Sequence, residues 1–237
     1  MLPRAPAVAV VIPTFNEAAS IAAVVAELPR DIVGRIIVAD GGSTDGTQQL
    51  ARNAGAEVIA AGRGYGRACL YGAQAADGAD IIVFMDGDGA DDPAAIAALV
   101  APLRAGAFDF VIASRARGER QPGSMASHQI LAGFIAGWLT KLLYGVRYTD
   151  MCAFRAIRRD ALLSLDMREM GYGWNLEMQM RVARRRLRVL ELPVAYRRRI
   201  GGESKVAGSL RGSAKAGLMI VSTFARVALE PARGRAG

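Results

Sequence analysis

Ile81-Ile82-Val83-Phe84-Met85-Asp86-Gly87-Asp88 is the stretch that decides the fold of this chain. A short apolar run closing in two carboxylates reads as a buried strand that ends at the carboxyl edge of a sheet, where open α/β folds bind their ligands. Side chains at i and i+2 of a strand point the same way, and beyond a solvent-facing strand end the chain can turn both oxygens onto one point. Two neighbouring anions repel unless a positive group lies between them, and a hard divalent cation carrying a diphosphate answers that need. The plainer alternative is an acidic turn, because Asp and Gly are ordinary turn formers and Asp91-Asp92-Pro93 resembles a helix start. The surrounding pattern bears on the choice.

Working outward, residues 8–12 form an apolar strand stopped by Pro13, and residues 18–28 carry Ile21, Val24, Val25 and Leu28 at helical spacing. A second strand at 35–39 ends in Asp40-Gly41-Gly42-Ser43-Thr44-Asp45-Gly46. Helix at 47–53, strand at 57–60, helix at 66–76, the strand at 81–85, a Pro-started helix at 93–103 and a strand at 108–113 continue the rhythm. Strands alternating with helices of this length predict an α/β fold, a mostly parallel Rossmann-like sheet flanked by helices on both faces. After Ala113 the rhythm breaks into a basic, Gly-containing loop at 115–127, followed by a helix at 130–144. That helix has Leu131, Phe134, Ile135, Trp138, Leu139, Leu142 and Leu143 on one face and Ala132, Gly133, Ala136 and Gly137 on the other. It spans only about 22 Å against a hydrocarbon core of about 30 Å, so core packing or interfacial contact is expected rather than crossing. A helix at 209–229 puts Arg211, Lys215 and Arg226 on one face with Leu210, Val221, Phe224 and Ala228 opposite, which suits a membrane-surface helix or one docked on the protein's own body. The division expected is a domain at 1–205 and a C-terminal amphipathic helix and tail at 206–237.

The 237 residues are 52% hydrophobic, enough for a core and incompatible with disorder. Cys69 and Cys152 fit neither a disulfide framework nor a zinc spacing, which points to a reducing compartment. The single histidine, His128, leaves no histidine metal cluster and argues against a Ser-His-Asp triad. No secretory signal is legible at residues 1–12, so the expected location is cytoplasmic, with peripheral attachment to the cytoplasmic membrane face. The net charge of +8 is concentrated after Arg115, above all at 181–199, and suggests an anion-facing surface in the second half.

Loops at 13–17, 40–45, 62–67 and 86–92 all follow strand ends and gather on one edge of a parallel sheet. They offer an acid for a ribose or base (Asp40), glycines for close backbone approach, a cation for phosphate (Arg67) and a carboxylate pair for a metal (Asp86, Asp88). Together they describe a pocket for a nucleoside diphosphate and a divalent ion. A dinucleotide site is disfavoured because the first strand runs into Pro-Thr-Phe-Asn-Glu rather than a Gly-x-Gly-x-x-Gly turn.

Pro13-Thr14-Phe15-Asn16-Glu17, Asp40-Gly41-Gly42-Ser43-Thr44-Asp45-Gly46-Thr47 and Asp86-Gly87-Asp88 resemble the signature blocks of family 2 inverting glycosyltransferases with the GT-A fold. Asp150-Met151-Cys152-Ala153-Phe154-Arg155-Ala156, Gly171-Tyr172-Gly173-Trp174 with Glu177, Glu191-Leu192-Pro193-Val194 and Gly202-Glu203-Ser204-Lys205 resemble the dolichyl/polyprenyl-phosphate mannosyl- and glucosyltransferase branch. The resemblance implies metal-dependent inverting transfer of a sugar from a UDP- or GDP-sugar to a polyprenyl phosphate, with Mg²⁺ or Mn²⁺ as cofactor and an anionic membrane surface as a partner. It implies that Pro13, Thr14, Asn16, Glu17 and Asp40 hold the nucleoside, with Arg67 and Gly87 beside the diphosphate, and that Asp86 and Asp88 hold the metal. Arg115, Arg117, Arg155, Arg199, Ser204 and Lys205 become the candidate anion ligands on the acceptor and diphosphate side. Asp150 becomes the carboxylate near the reacting centre, a base if the acceptor is a hydroxyl; its alternative is a turn-capping Asp before a strand. Gly41, Ala90 and Ala153 depart from the family pattern, leaving Asp91 or water to complete the metal shell. A soluble hydroxyl acceptor is the alternative within the same chemistry, and two other classes compete: a nucleotidyltransferase and a nucleic-acid-binding module. The last is disfavoured because Tyr196 is the one aromatic residue at 181–199.

Overall fold

The computed structural model describes residues 6–201 and 210–231. Strands β1 (Val8–Thr14), β2 (Arg35–Asp40), β3 (Glu57–Ala60) and β4 (Ile81–Phe84) alternate with helices α1 (Ile21–Ala26), α2 (Thr47–Asn53) and α3 (Tyr65–Ala75). A 3-10 turn at Pro93–Ala95 leads into α4 (Ile96–Arg104), and then come β5 (Phe110–Ser114), α5 (Ser127–Tyr144), β6 (Arg155–Arg158), α6 (Arg159–Ser164), α7 (Trp174–Arg184), β7 (Val189–Pro193) and α8 (Leu210–Leu229). The sheet order is β3-β2-β1-β4-β6-β5-β7, and β6 alone runs against its neighbours. The expected alternation thus holds to β5, with α1 shorter than read because Pro29 ends its run.

β1, β4 and β5 are buried along their whole length, as strands covered by helices on both faces must be. Each buried Val or Ile there contributes about 1.5–3 kcal/mol. Phe84 meets the fully buried Trp174 edge-on, with ring centroids 6.2 Å apart, which fastens α7 to the centre of the sheet. α3 crosses β1 at Gly72, where a Cβ would stand 2.3 Å from Val11 Cγ1. That close crossing sets the N-terminus of α3 beside the end of β4.

The topology gathers the chemistry on one edge. Thr14 pairs with Asp40 across β1 and β2, so these strands end level. Because β6 is antiparallel, its first residue, Arg155, pairs with Phe84 and Ile112 at that same edge. The 150–154 segment therefore arrives beside the loops leaving β4 and β5.

Positive charge at 181–199 proves to be largely structural. Arg181 and Arg184 pair with Glu230, Arg188 with Asp109, and Arg197 with Glu27 and Asp92. The anion-facing surface expected there narrows accordingly.

Candidate active site

The β1 and β2 loops are stitched together by polar contacts. Asn16, at φ 52°, accepts the Thr44 N–H on Oδ1 (3.0 Å) and donates its own N–H to Ser43 Oγ (2.8 Å). The Glu17 N–H donates to Thr47 Oγ1 at 2.9 Å. Asp40 is buried, and its oxygens accept from Gly42 N, Ser43 N, Ser43 Oγ, Gln48 Nε2 and Thr14 Oγ1 at 2.5–3.2 Å. A carboxylate has about four lone-pair sites, so Asp40 is committed to closing this loop. In this arrangement Asp40 shapes the walls, Pro13 to Glu17 and 41–45. Arg67, at the start of α3, is exposed beside them, and Arg63 lies over the Phe15 ring at 3.7 Å.

Past β4 the chain folds its acids inward. Ser20 Oγ donates to the Gly87 carbonyl at 2.7 Å, tying this loop to the β1 loop. Gly87 is a glycine for want of space, since a Cβ would lie 3.0 Å from Thr14 Cγ2. Asp86 Oδ1 accepts from Tyr65 Oη (3.2 Å), and its N–H donates to Asp91 Oδ2 (3.0 Å). Asp88 accepts the Ala90 N–H on Oδ1 (2.9 Å) and the Arg199 guanidinium on Oδ2 (2.5 Å). At 5% exposure Asp88 is buried, where the sequence reading had it facing solvent. The strap at 194–200, with Ile200 N–H on the Asp88 carbonyl (2.9 Å), covers it.

Burial, and then the charge of Asp88, pushes the Asp86 carboxyl up to about 6. Burial and the charge of Asp86 push Asp91 up as well. Carboxylates that raise one another in this way fit a divalent ion, which reverses the sign of the local field. Among the described residues no three acidic, histidine or cysteine side chains converge on one point. Asp86 and Asp88 thus fit as a partial shell of the kind that Mg²⁺ or Mn²⁺ completes with diphosphate oxygens and water. Ion binding requires ionised Asp86. The thermal stabilisation given by Mn²⁺ is therefore expected to be full above pH about 6 and to fade as pH falls through that value, where the proton competes. Melting curves with and without Mn²⁺ from pH 5 to 8 check this; a pH-independent increment would contradict it.

The second wall differs from expectation. Arg115 donates Nε and Nη2 to the two oxygens of Asp150, both at 2.8 Å, and its N–H adds a bond at 2.9 Å. Burial raises the Asp150 carboxyl, but the Arg115 contacts more than offset that and hold it below the usual range. A carboxylate held low and doubly engaged is a poor base, and in this arrangement Asp150 positions Arg115. Arg155 is fully buried and donates to the carbonyls of Ala153 (3.2 Å), Asn175 (3.1 Å) and Cys152. Arg117 is half-exposed and reaches the Glu191 carbonyl at 3.2 Å. Ser204 and Lys205 lie outside the described residues.

Sequence reasoning missed Tyr65 and Tyr196. Tyr65 stands between Gly64 and Gly66, a spacing that admits close backbone approach, and Tyr196 forms bridges to Asp91 and Arg120 with Arg115 over its ring at 5.0 Å. Glu191, quoted only as part of a block, accepts the Thr149 N–H at 2.8 Å and braces the segment before Asp150.

Known proteins resemble this chain in sequence and fold. Residues 9–165 match the family described as Glycosyl transferase family 2. The chain is 38% identical over 211 residues to an uncharacterized glycosyltransferase of Mycobacterium tuberculosis, covering 87% of this chain and 93% of that one. It is 32% identical over 223 residues to the undecaprenyl-phosphate mannosyltransferase of Micrococcus luteus, covering 86% and 89%. Among solved structures, glucosyl-3-phosphoglycerate synthase from Mycobacterium tuberculosis in complex with phosphoglyceric acid superposes with a TM-score of 0.75 at 25% identity, over 97% of this chain and 82% of that one. The same enzyme in complex with Mg²⁺ and uridine-diphosphate has the same TM-score at 24% identity, over the same shares. With the GT-A sheet order and the edge loops in place, the chain belongs to glycosyl transferase family 2 and is a glycosyltransferase.

Proposed function

We propose that the enzyme transfers a sugar from a nucleoside-diphosphate sugar to a polyprenyl phosphate with inversion. The single observation that carries the acceptor is the outward face of α5. Its small residues Gly133, Ala136, Gly137 and Thr140 are buried, while Leu131, Phe134, Ile135, Trp138 and Leu142 are 47–69% exposed. A Cβ on Gly137 would stand 1.8 Å from the Tyr148 carbonyl, so the small face is the one that can pack. This large apolar patch follows directly on the loop carrying Arg115, Arg117 and Arg120, as a phosphate head with an isoprenoid tail requires. No described helix is long and apolar enough to cross a membrane, and a surface helix meets the lipid without crossing.

In this reading the β1–β2 loops hold the nucleoside, Arg67 faces the diphosphate, and Asp86 and Asp88 hold Mg²⁺ or Mn²⁺, which neutralises charge on the departing nucleoside diphosphate. Arg199, on Asp88, adds a fixed cation at the same place, and Arg117 faces the incoming phosphate. An acceptor phosphate is already anionic and needs positioning more than deprotonation, in keeping with an Asp150 engaged by Arg115. The uridine-diphosphate and metal complexes of the phosphoglycerate enzyme, and the lipid-phosphate relative from Micrococcus luteus, support the two halves.

A soluble phosphate acceptor is the second reading, favoured by the likeness to glucosyl-3-phosphoglycerate synthase. Offering polyprenyl phosphate in anionic liposomes beside 3-phosphoglycerate and simple alcohols, with UDP- and GDP-sugars and Mn²⁺, separates them. Sugar is expected to partition with the lipid, and the protein to float with the liposomes at low salt. Transfer to the soluble acid or alcohol alone would overturn the lipid reading.

A further inference from the structure

The Gly171-Tyr172-Gly173 segment and the buried Glu177 have no part in the chemistry above, yet they sit in a dense polar cluster with α8. Glu177 is fully buried at the start of α7. Its Oε2 accepts the N–H groups of Arg168 (3.0 Å) and Glu169 (2.7 Å), and its Oε1 accepts Arg181 Nε and Arg226 Nη1, both at 2.9 Å. Glu169 in turn accepts Thr223 Oγ1 (2.8 Å) and Arg226 Nη2 (3.3 Å) from α8, and holds its own loop through the Gly171 N–H (2.9 Å). The glycines let α8 come this close: a Cβ on Gly171 would stand 1.9 Å from Met219 Cε, and one on Gly173 2.2 Å from Thr223 Oγ1.

The other side of that loop is the start of α3. Gly66 N–H donates to the Gly171 carbonyl (3.2 Å) and Arg67 N–H to the Met170 carbonyl (3.1 Å). These are free amides of a helix's first turn, which an isolated helix leaves without partners. Contact is so close that a Cβ on Gly64 would lie 2.4 Å from the Met170 carbonyl oxygen, and one on Gly66 2.2 Å from that of Glu169. The same turn carries Arg67 and Tyr65, whose hydroxyl holds Asp86.

We infer that Thr223 and Arg226 of α8 are positioning residues for donor binding, acting through Glu169 and Glu177 on the 168–173 loop and so on the first turn of α3. The inference rests on the donor reading of the Gly62–Arg67 loop given above. It assigns α8 a part in the site and takes the second of the two readings of this helix, docking on the protein's own body rather than on a membrane. Arg226 faces the body of the protein, and the exposed residues of the described part of α8 include the apolar Leu218, Val221 and Leu229. The side chains of Arg211 and Lys215 lie outside the described residues.

The test compares the full chain with Thr223→Val, which is isosteric and removes one hydrogen bond, with Arg226→Ala, and with Arg226→Lys. Two quantities are read: affinity for UDP and GDP in Mn²⁺, and amide exchange at Gly66 and Arg67. Arg226→Ala is expected to weaken nucleoside-diphosphate binding about tenfold, the weight of one charge-assisted hydrogen bond. Turnover at saturating donor should stay within about twofold, the mark of lost binding rather than lost chemistry. Exchange should rise at Gly66 and Arg67 before it rises in β1 or β4, Thr223→Val should act in the same direction, and Arg226→Lys should recover part of the loss. Unchanged affinity and unchanged exchange in the folded Arg226→Ala and Thr223→Val variants would overturn the inference. So would exchange rising evenly across the sheet, which makes α8 a general support. If the wild-type chain binds neither nucleotide, the donor reading fails, while exchange at Gly66 and Arg67 still decides whether α8 controls this turn.

Discussion

Asp88→Asn is expected to slow sugar transfer by about a hundred- to a thousandfold while leaving the fold in place, a loss typical of removing one charge-stabilising group from a preorganised site. The side chain is buried, but asparagine keeps an oxygen for the Ala90 N–H and is the same size, so local geometry survives. What goes is the negative charge that an ion and Arg199 both need. Turnover in Mg²⁺ or Mn²⁺, set beside a thermal melt, checks the two halves. Wild-type turnover would refute the metal assignment, and a collapsed melt would show that Asp88 serves the fold first.

The second large effect concerns the Arg115–Asp150 pair. Asp150→Ala leaves Arg115, 14% exposed at its side chain, without its carboxylate, and breaking a buried pair in this way costs about 3–5 kcal/mol. For a chain of this size that amounts to a fall in Tm of roughly 10 °C. Activity should fall with it because Arg115 is no longer aimed, and Asp150→Asn, which keeps acceptor capacity on one oxygen, should be milder in both respects. A general base would behave differently. Asp150→Asn would then be as inactive as Asp150→Ala even though its Tm falls less.

The first half of the fold was legible because its physics is local. Strands such as 8–12 and 81–85 are apolar throughout, helices keep their spacing, and Pro and Gly mark the ends, so order and edge loops follow from pattern alone. β6 was legible only as a strand somewhere after Asp150, not by its place in the sheet. Arg155-Ala156-Ile157-Arg158 is bounded by arginines, and only the insertion between β4 and β5 makes it a central strand. α7 was hidden for a related reason. Glu177, Gln179 and Arg181 are buried in it, so its polar positions mark partners in α8, Asp150 and the 168–169 backbone rather than a solvated face.

The candidate site shows the same divide. Which residues reach the edge was readable from the strand ends; what each one does there was not. Asp40, Asp150 and Arg155 sit where the motifs put them, yet each spends its hydrogen-bonding capacity on neighbouring protein groups. Residue type tells the chemistry a side chain offers, whereas its partners, set by tertiary packing, decide whether that capacity is still open to a ligand. α5 reverses the usual inference in another way. A helix with a broad face of Leu, Phe and Trp is expected to bury that face, but Gly133 and Gly137 pack closely beside Tyr148 and Asp150 and turn the large side chains outward.

The account stands or falls on whether the edge of β1, β2 and β4 is an ion-assisted nucleoside-diphosphate site. Isothermal titration of UDP and GDP into the full chain, with Mn²⁺ and then with EDTA, measures that directly. One of the two nucleotides is expected to bind in Mn²⁺ and to lose most of its affinity in EDTA and in Asp86→Asn. Binding of equal strength with and without the ion, or no binding of either nucleotide, would contradict the assignment.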